Sequence, residues 1–369
     1  AVRWIGDPVH YPSDCGGTFV SGGNMANFVC FLAARVARAG WDIRRDGVAA
    51  SDRRLLVYAS PETHTWIQKA TDLAGLGTAC IRWIPTDDRL RMDVTQLERR
   101  IDDDISAGYV PFVVIGTAGS VSTGAVDPLV EISRVCKERS IWFHVDGAYG
   151  AMGAAVPDAP EDLRVLKLAD SVAVDPHKWL YPPLEAGCAL VRDAAALRAA
   201  FWYHPPYYHF DDLGINYVDY GPQNSRGFRA LKVWLALRQV GANGYRRMIA
   251  DDMALSRAMA AAVEREPDLQ LVTQALSIAT FRFVPADLRP RVGETSTEEY
   301  LNRLNQALLD AIQRGGEAFV SNALVRGCYV LRACIVNFHT TREDVEAIPE
   351  IVVRTGRALD ARMRASAAV

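Results

Sequence analysis

Six short apolar runs set the frame of this chain: "RLLVYAS" (54–60), "ACIRWIP" (79–85), "VPFVVIGT" (110–117), "IWFHVD" (141–146), "SVAVD" (171–175) and "GCALVR" (187–192). Stretches with helical spacing of apolar residues lie before and between them, at 24–40, 61–77, 93–105 and 128–140. Runs that are apolar at successive positions, not at every second one, fit strands covered on both faces. Strand–helix alternation of this kind builds a mostly parallel sheet with helices on both faces, an α/β fold. Ligands of such sheets collect beyond the carboxyl ends of the strands. A few loops therefore carry the functional question.

After about Gly241 the pattern changes. Helical patterns at about 244–264, 296–314 and 341–361 flank alternating strands at 278–284, 317–325 and 328–336. The expected organisation is a large domain over 1–240 and a smaller C-terminal α+β domain over 241–369. Between them runs "YHPPYYHFDDLGINYVDYGPQNSRG" (203–227), and a loop that long inside a compact protein is usually functional.

Composition removes several classes of function. The net charge of −3 over 369 residues gives no sign of nucleic acid or an anionic membrane as a partner. No apolar run reaches the roughly 18 residues a membrane span needs. The seven cysteines (Cys15, Cys30, Cys80, Cys136, Cys188, Cys328, Cys334) are scattered without metal-ligand spacing. The expectation is a cytoplasmic protein with reduced thiols and no metal.

Three strand ends or helix starts carry chemistry. In "TFVSGGNMANF", Gly23 and Asn24 open a helix whose free amides and dipole favour an anion such as a phosphate; a flexible turn and N-cap is the plainer alternative. In "IWFHVDGAYG", Asp146 ends a bulky apolar strand, as a carboxylate awaiting a cation or as a loop cap. In "SVAVDPHKWLYPP", Lys178 follows a buried strand. Lysine is rarely buried unless paired or chemically used, and a desolvated amine becomes a nucleophile for carbonyl carbon; the alternatives are a salt bridge or a stem lying on apolar surface. A phosphate cradle, an acid and an amine on neighbouring strand ends match the needs of pyridoxal 5′-phosphate: anion binding, a partner for the pyridine nitrogen, and a Schiff-base lysine.

The stretches "TFVSGGNMAN", "VVIGTAGSVSTGAVDPL", "WFHVDGAYG", "DPHKWL", "SRGFRALKVW" and "LRACIVNFHTT" resemble, in order along nearly the whole chain, the group II pyridoxal-phosphate-dependent amino-acid decarboxylases. The resemblance implies the fold-type-I, aspartate-aminotransferase-like architecture and a homodimer with active sites at the subunit interface. It also implies roles by position. Lys178 stands as the Schiff-base lysine with His177 beside it near the phosphate. Asp146 stands as the pyridinium partner, Ala148 under the ring, and Gly23 and Asn24 in the phosphate cradle. Thr117 falls near the ring substituents, and His64 in "SPETHTW" is the stacking histidine, brought to a first helical turn by Pro61 at the first helical position. Tyr217, with Tyr220 the alternative register, is the catalytic loop tyrosine that favours simple decarboxylation over the aldehyde-forming route.

Three departures stand out. Asp175 replaces the asparagine of many relatives, and a carboxylate near a phosphate is repulsive unless it points away or meets a cation. Met25 replaces a glutamate. The chain opens at "AVRWIGDPVHYPSDCGG" without the family's N-terminal segment, which there exchanges helices between subunits. The expected reaction is decarboxylation of an L-amino acid, aromatic side chains favoured by Tyr149 and by the loop tyrosines Tyr203, Tyr207, Tyr208, Tyr217 and Tyr220. An aldehyde synthase, an acidic amino-acid decarboxylase and a non-catalytic relative remain as alternatives.

Overall fold

A computed structural model describes residues 1–204 and 214–367. The chain divides into two compact units, one of Ala1–Val121 with Ala125–Arg246 and one of Ser122–Gly124 with Arg247–Val369. Among the described residues no helix is long and apolar enough to cross a membrane.

The first unit holds a seven-stranded sheet. Its strands are β1 (Gly16–Val20), β2 (Leu55–Ala59), β3 (Ile81–Trp83), β4 (Val110–Thr117), β5 (Trp142–Asp146), β6 (Ser171–Val174) and β7 (Gly187–Val191). They lie in the order β1-β7-β6-β5-β4-β2-β3. The pairs from β3 through β6 are parallel, and β7 alone runs antiparallel to both neighbours. The carboxyl ends of β1, β2, β4, β5 and β6 therefore share one edge with the amino end of β7. All six strands expected from the apolar runs are present. β1 is additional, because "GGTFV" reads as a turn. Its glycines answer to space: a Cβ on Gly17 would lie 2.7 Å from the Ala189 carbonyl oxygen, and one on Gly16 2.7 Å from Ala194 Cα.

The helix Gly23–Arg38 buries Ala26, Val29, Cys30, Phe31, Ala33 and Ala34 over the central strands. Phe31 meets Phe112 of β4 edge-on at 5.3 Å and Trp66 at 6.4 Å. Side chains of this size contribute roughly 1.5–3 kcal/mol each on full burial, so this layer fixes the helix start above the sheet edge. One local expectation is corrected. Pro61 does not open a helix; the helix runs Trp66–Leu73 with Thr65 at its N-cap. Ser60 to Thr63 instead close a turn in which the Thr63 amide donates to the Ser60 carbonyl at 3.0 Å, and His64 lies ahead of the helix.

The second unit contains an antiparallel sheet of β8 (Leu269–Ala275), β9 (Ile278–Phe283), β10 (Ser321–Val325) and β11 (Cys328–Cys334), in the order β10-β11-β9-β8. Helices Thr295–Gly315 and Arg342–Ala367 contribute to a core that includes Phe281, Phe283, Leu304, Leu308, Leu331 and Val352. β8 is not marked in the sequence: it is an edge strand whose residues after Leu269 are only half-buried, so its apolar alternation is weak.

Candidate active site

The strand edge gathers the predicted chemistry. Asp146 is the last residue of β5, in register with Thr117 at the end of β4 and Ala173 in β6. β6 leads through Asp175 into one helical turn, Pro176–Trp179, with Pro176 at its start and His177 and Lys178 within it. On the other side, the β1 end turns through Gly22 (φ 142°) into the helix Gly23–Arg38. The first residue of β7, Gly187, packs so closely that an added Cβ would lie 2.5 Å from the Gly22 carbonyl.

Asp146 is 7% exposed. Its Oδ2 accepts a 2.7 Å hydrogen bond from the Trp66 indole N–H, and its Oδ1 accepts from the Ala148 amide at 3.2 Å. Both donors are neutral groups, so they orient the carboxylate without cancelling its charge. The indole is itself clamped edge-on by Phe31 and by the His144 ring at 5.7 Å. A buried chain of hydrogen bonds sets His144: Trp142 Nε1–H donates to Ser171 Oγ at 2.8 Å, Ser171 donates to His144 Nδ1 at 2.8 Å, and His144 Nε2–H donates to Asn27 Oδ1 at 2.7 Å. That arrangement makes the imidazole neutral. Burial pushes its pKa down to about 4, against the pull of the Asp146 carboxylate.

The second corner is the start of helix Gly23–Arg38, where Gly22 supplies no side-chain cap and the first amides have no partner within the helix. Asp175, 3% exposed, lies against it: a Cβ on Gly23 would come within 2.7 Å of Asp175 Oδ2 and 2.9 Å of Ala148 Cβ. Lys178 Nζ sits 3.1 Å from Asp175 Oδ2, so the carboxylate does meet a cation. Its Oδ1 has no hydrogen-bond partner; His177 Nδ1, 3.9 Å away, instead donates to the Ala186 carbonyl at 2.7 Å. Burial raises the Asp175 pKa above the ordinary carboxylate range, opposed by Lys178 and His177.

Three buried hydroxyls at neighbouring strand ends also lack partners: Ser60 Oγ, Thr63 Oγ1 and Thr117 Oγ1. Thr117 is held by Asp127, whose carboxylate accepts from the Thr117 amide at 2.8 Å and the Met92 amide at 2.7 Å. Burial raises Asp127 to about 6. Trp66, Asn27 and Asp127 were not singled out in the sequence, because each acts through a partner distant along the chain. The spacing within "VDPL" gives no sign that its Asp127 folds back onto Thr117.

The other predicted residues are placed as follows. Ala148 is buried beside Gly23. Asn24 is exposed in the first helical turn. His64 is exposed, its Nδ1 accepting from the Trp66 amide at 3.2 Å. Tyr149 stacks on Trp179 at 5.0 Å and 20°. Tyr217 makes its contacts elsewhere: it begins the turn Tyr217–Tyr220, is 45% exposed, meets the Tyr220 ring edge-on at 6.0 Å, and lines an apolar cavity of about 560 Å³ with Phe19, Phe228 and Trp234. Tyr207 and Tyr208 lie outside the described residues.

The residues present fit pyridoxal phosphate. The uncapped helix start offers amides to a phosphate. Ala148 leaves room for a ring, Asp146 is oriented for a ring nitrogen, the three unpartnered hydroxyls await polar substituents, and Lys178 supplies the amine. The sequence matches the model of the pyridoxal-dependent decarboxylase conserved domain over residues 1–284. It is 33% identical over 349 residues to an aromatic-L-amino-acid decarboxylase of Bacillus atrophaeus, covering 93% of this chain and 69% of that protein. A phenylacetaldehyde synthase of a Rosa hybrid cultivar is 30% identical over 356 residues, covering 93% of this chain and 68% of that protein. The crystal structure of Oryza sativa TDC with PLP and tryptamine superposes with a TM-score of 0.87 at 28% identity, covering 97% of this chain and 75% of that one. The family match spans residues 1–284 and the likenesses cover 93% or more of the chain, and the chain belongs to the pyridoxal-phosphate-dependent amino-acid decarboxylase family.

Proposed function

We propose that this chain removes the α-carboxylate of an aromatic L-amino acid, releasing carbon dioxide and the amine. The carrying observation is that Asp146, a buried carboxylate held by Trp66, and the Lys178 amine, itself paired with Asp175, stand at neighbouring strand ends beside an uncapped helix start. The bound cofactor supplies the electron sink for the pair left behind when the carboxylate departs.

The chain's own groups do the rest. Lys178 Nζ would be the amine that holds the cofactor's carbonyl carbon. Asp146, fixed by two neutral donors, holds a proton at the ring nitrogen. The amides of Gly23 and Asn24 hold the phosphate, and His177 flanks that corner. Thr117 and His64 would be the ring's polar neighbours. A homodimer with the site at its interface is the working form, and across that interface Tyr217, which lies away from the strand edge in the single chain, would return a proton to the α-carbon as general acid. The exposed Phe228, Leu235 and Trp234, at 75%, 52% and 39%, support that assembly.

The aromatic preference rests on the name of the Bacillus atrophaeus relative and on the Tyr149–Trp179 stack beside the lysine. The rose phenylacetaldehyde synthase motivates the second reading, oxidative conversion to the aldehyde; Tyr217 argues against it. A panel of L-amino acids, assayed for amine, carbon dioxide, ammonia and hydrogen peroxide, separates them. Aromatic amine equimolar with carbon dioxide supports the proposal. Aldehyde with ammonia and peroxide establishes the second reading, and turnover of acidic amino acids alone refutes the substrate class.

A further inference from the structure

Asp175 is the one feature of the site that works against the others. The helix start, Lys178 and the empty hydroxyls all suit a phosphate-bearing cofactor, yet a carboxylate 3% exposed shares that corner. The absent Cβ of Gly23 marks how close it lies: 2.7 Å from Oδ2. From Gly22 the corresponding distance to Oδ1 is 4.0 Å. One oxygen is used by Lys178 at 3.1 Å, and Oδ1 is buried without a hydrogen-bond partner, His177 Nδ1 lying 3.9 Å away. An ionised carboxylate beside a phosphate dianion is repelled by several kcal/mol even at an effective dielectric constant of about 20. The same carboxyl group carrying a proton becomes a hydrogen-bond donor.

We propose that Asp175 links cofactor seating to proton uptake: ionised and paired with Lys178 while the site is free, it takes one proton when a phosphate occupies the helix start and donates through Oδ1 into that corner. The inference rests on the cofactor reading given above. The proton comes from solvent and adds to a carboxylate oxygen; no other bond changes, and Lys178 Nζ is released from its counter-ion. Burial already raises the Asp175 pKa in the free site, so the group starts part of the way towards that state. The groups facing it from each packed element are Lys178 and His177 on its own turn, Asp146 on β5 and Cys188 on β7, together with the positive end of helix Gly23–Arg38. Asp146 opposes ionisation of Asp175, and Lys178 and His177 favour it. A site built this way holds its cofactor less tightly as pH rises.

The test uses pyridoxine 5′-phosphate, which has the phosphate and ring but no aldehyde, so binding does not involve covalent capture by Lys178. Isothermal titration of the full chain and of Asp175→Asn, in two buffers of different ionisation enthalpy from pH 6.5 to 8.5, reads affinity and protons together. The phosphate titrates near pH 6 in both experiments, so the difference between the proteins isolates Asp175. The expected result is about one more proton taken up by the parent than by the variant. The parent affinity then falls about tenfold per pH unit more steeply, and the variant binds more tightly at pH 8.5. Equal proton uptake and equal pH slopes overturn the inference while leaving the cofactor reading intact. No binding by either protein overturns both. Thermal melting of the free proteins identifies a misfolded variant, and Asp175→Ser, which also removes the charge, then takes its place with the same expectations.

Discussion

Gly23→Ala isolates the cradle at the helix start with a single methyl group. Gly23 has helical backbone, so alanine there is conformationally free and favours the helix by about 0.5–1 kcal/mol. Against this, its Cβ would lie 2.7 Å from Asp175 Oδ2 and 2.9 Å from Ala148 Cβ. Those neighbours are buried, and overpacking of this kind costs about 1–3 kcal/mol. The clash is therefore expected to win by up to about 2 kcal/mol, against the usual sign of glycine-to-alanine changes in helices. Gly315→Ala is the reference: it ends the helix Thr295–Gly315, and an added Cβ would have nothing within 4 Å. Urea midpoints should fall for Gly23→Ala and hold or rise for Gly315→Ala. Pyridoxal phosphate affinity, followed by quenching of tryptophan fluorescence, should drop about tenfold or more in the first variant, equivalent to about 1.4 kcal/mol, and stay unchanged in the second. A Gly23→Ala protein as stable as the parent, with parental cofactor affinity, would refute the claim that this corner is a tight phosphate seat.

Trp66→Phe removes one of two donors to Asp146 while keeping most of the ring. A hydrogen bond to a charged group is worth about 1.5–3 kcal/mol, so the variant should lose that much stability in denaturant titrations and show a shifted absorbance band for bound cofactor; an unaltered band and midpoint would mean the 2.7 Å contact does nothing. Acidification has a predicted sign as well. His144 is held neutral to about pH 4, below its ordinary value of about 6.5, so its contribution is present above pH 6.5 and is lost as pH falls towards 4. Glu298, held down to about 2 by Arg282, contributes above about pH 4.5 and loses that contribution towards pH 2. Glu298→Gln, which leaves the buried Arg282 without its counter-ion, should lower stability by about 3 kcal/mol at pH 7 and lose less than the parent on going to pH 3. Tyr217→Phe should divert product from amine towards aldehyde and ammonia, and an unaltered product would show that the loop tyrosine is assigned to the wrong position.

What the sequence disclosed depended on how local each signal was. The strand-edge positions of Lys178, Asp146 and Gly23 were legible because apolar runs stop beside them, and a strand end in a parallel sheet is itself a positional statement. β1 was hidden because its glycines serve close packing against Ala189 and Ala194, while glycine reads as punctuation. β8 was hidden by the weak alternation of a half-buried edge. The helix begins later than Pro61 suggests, because proline suits a turn as well as a first helical position and here sits in the Ser60–Thr63 turn. Trp66 could not be found by spacing, since its partner Asp146 is 80 residues away; nor could Asn27, whose tie to His144 spans 117. Asp175 was visible as an anomaly, but only the geometry showed that Lys178 takes one oxygen and leaves the other unpartnered.

The central claim is that Lys178, in the helical turn after β6, is the amine that captures pyridoxal phosphate. Borohydride reduction of the protein incubated with pyridoxal phosphate, followed by peptide mass mapping, tests it directly. A single phosphopyridoxyl group on Lys178, absent from Lys178→Ala along with all turnover, is the predicted result. Modification spread over exposed lysines, or a Lys178→Ala protein that still turns over substrate, would contradict it.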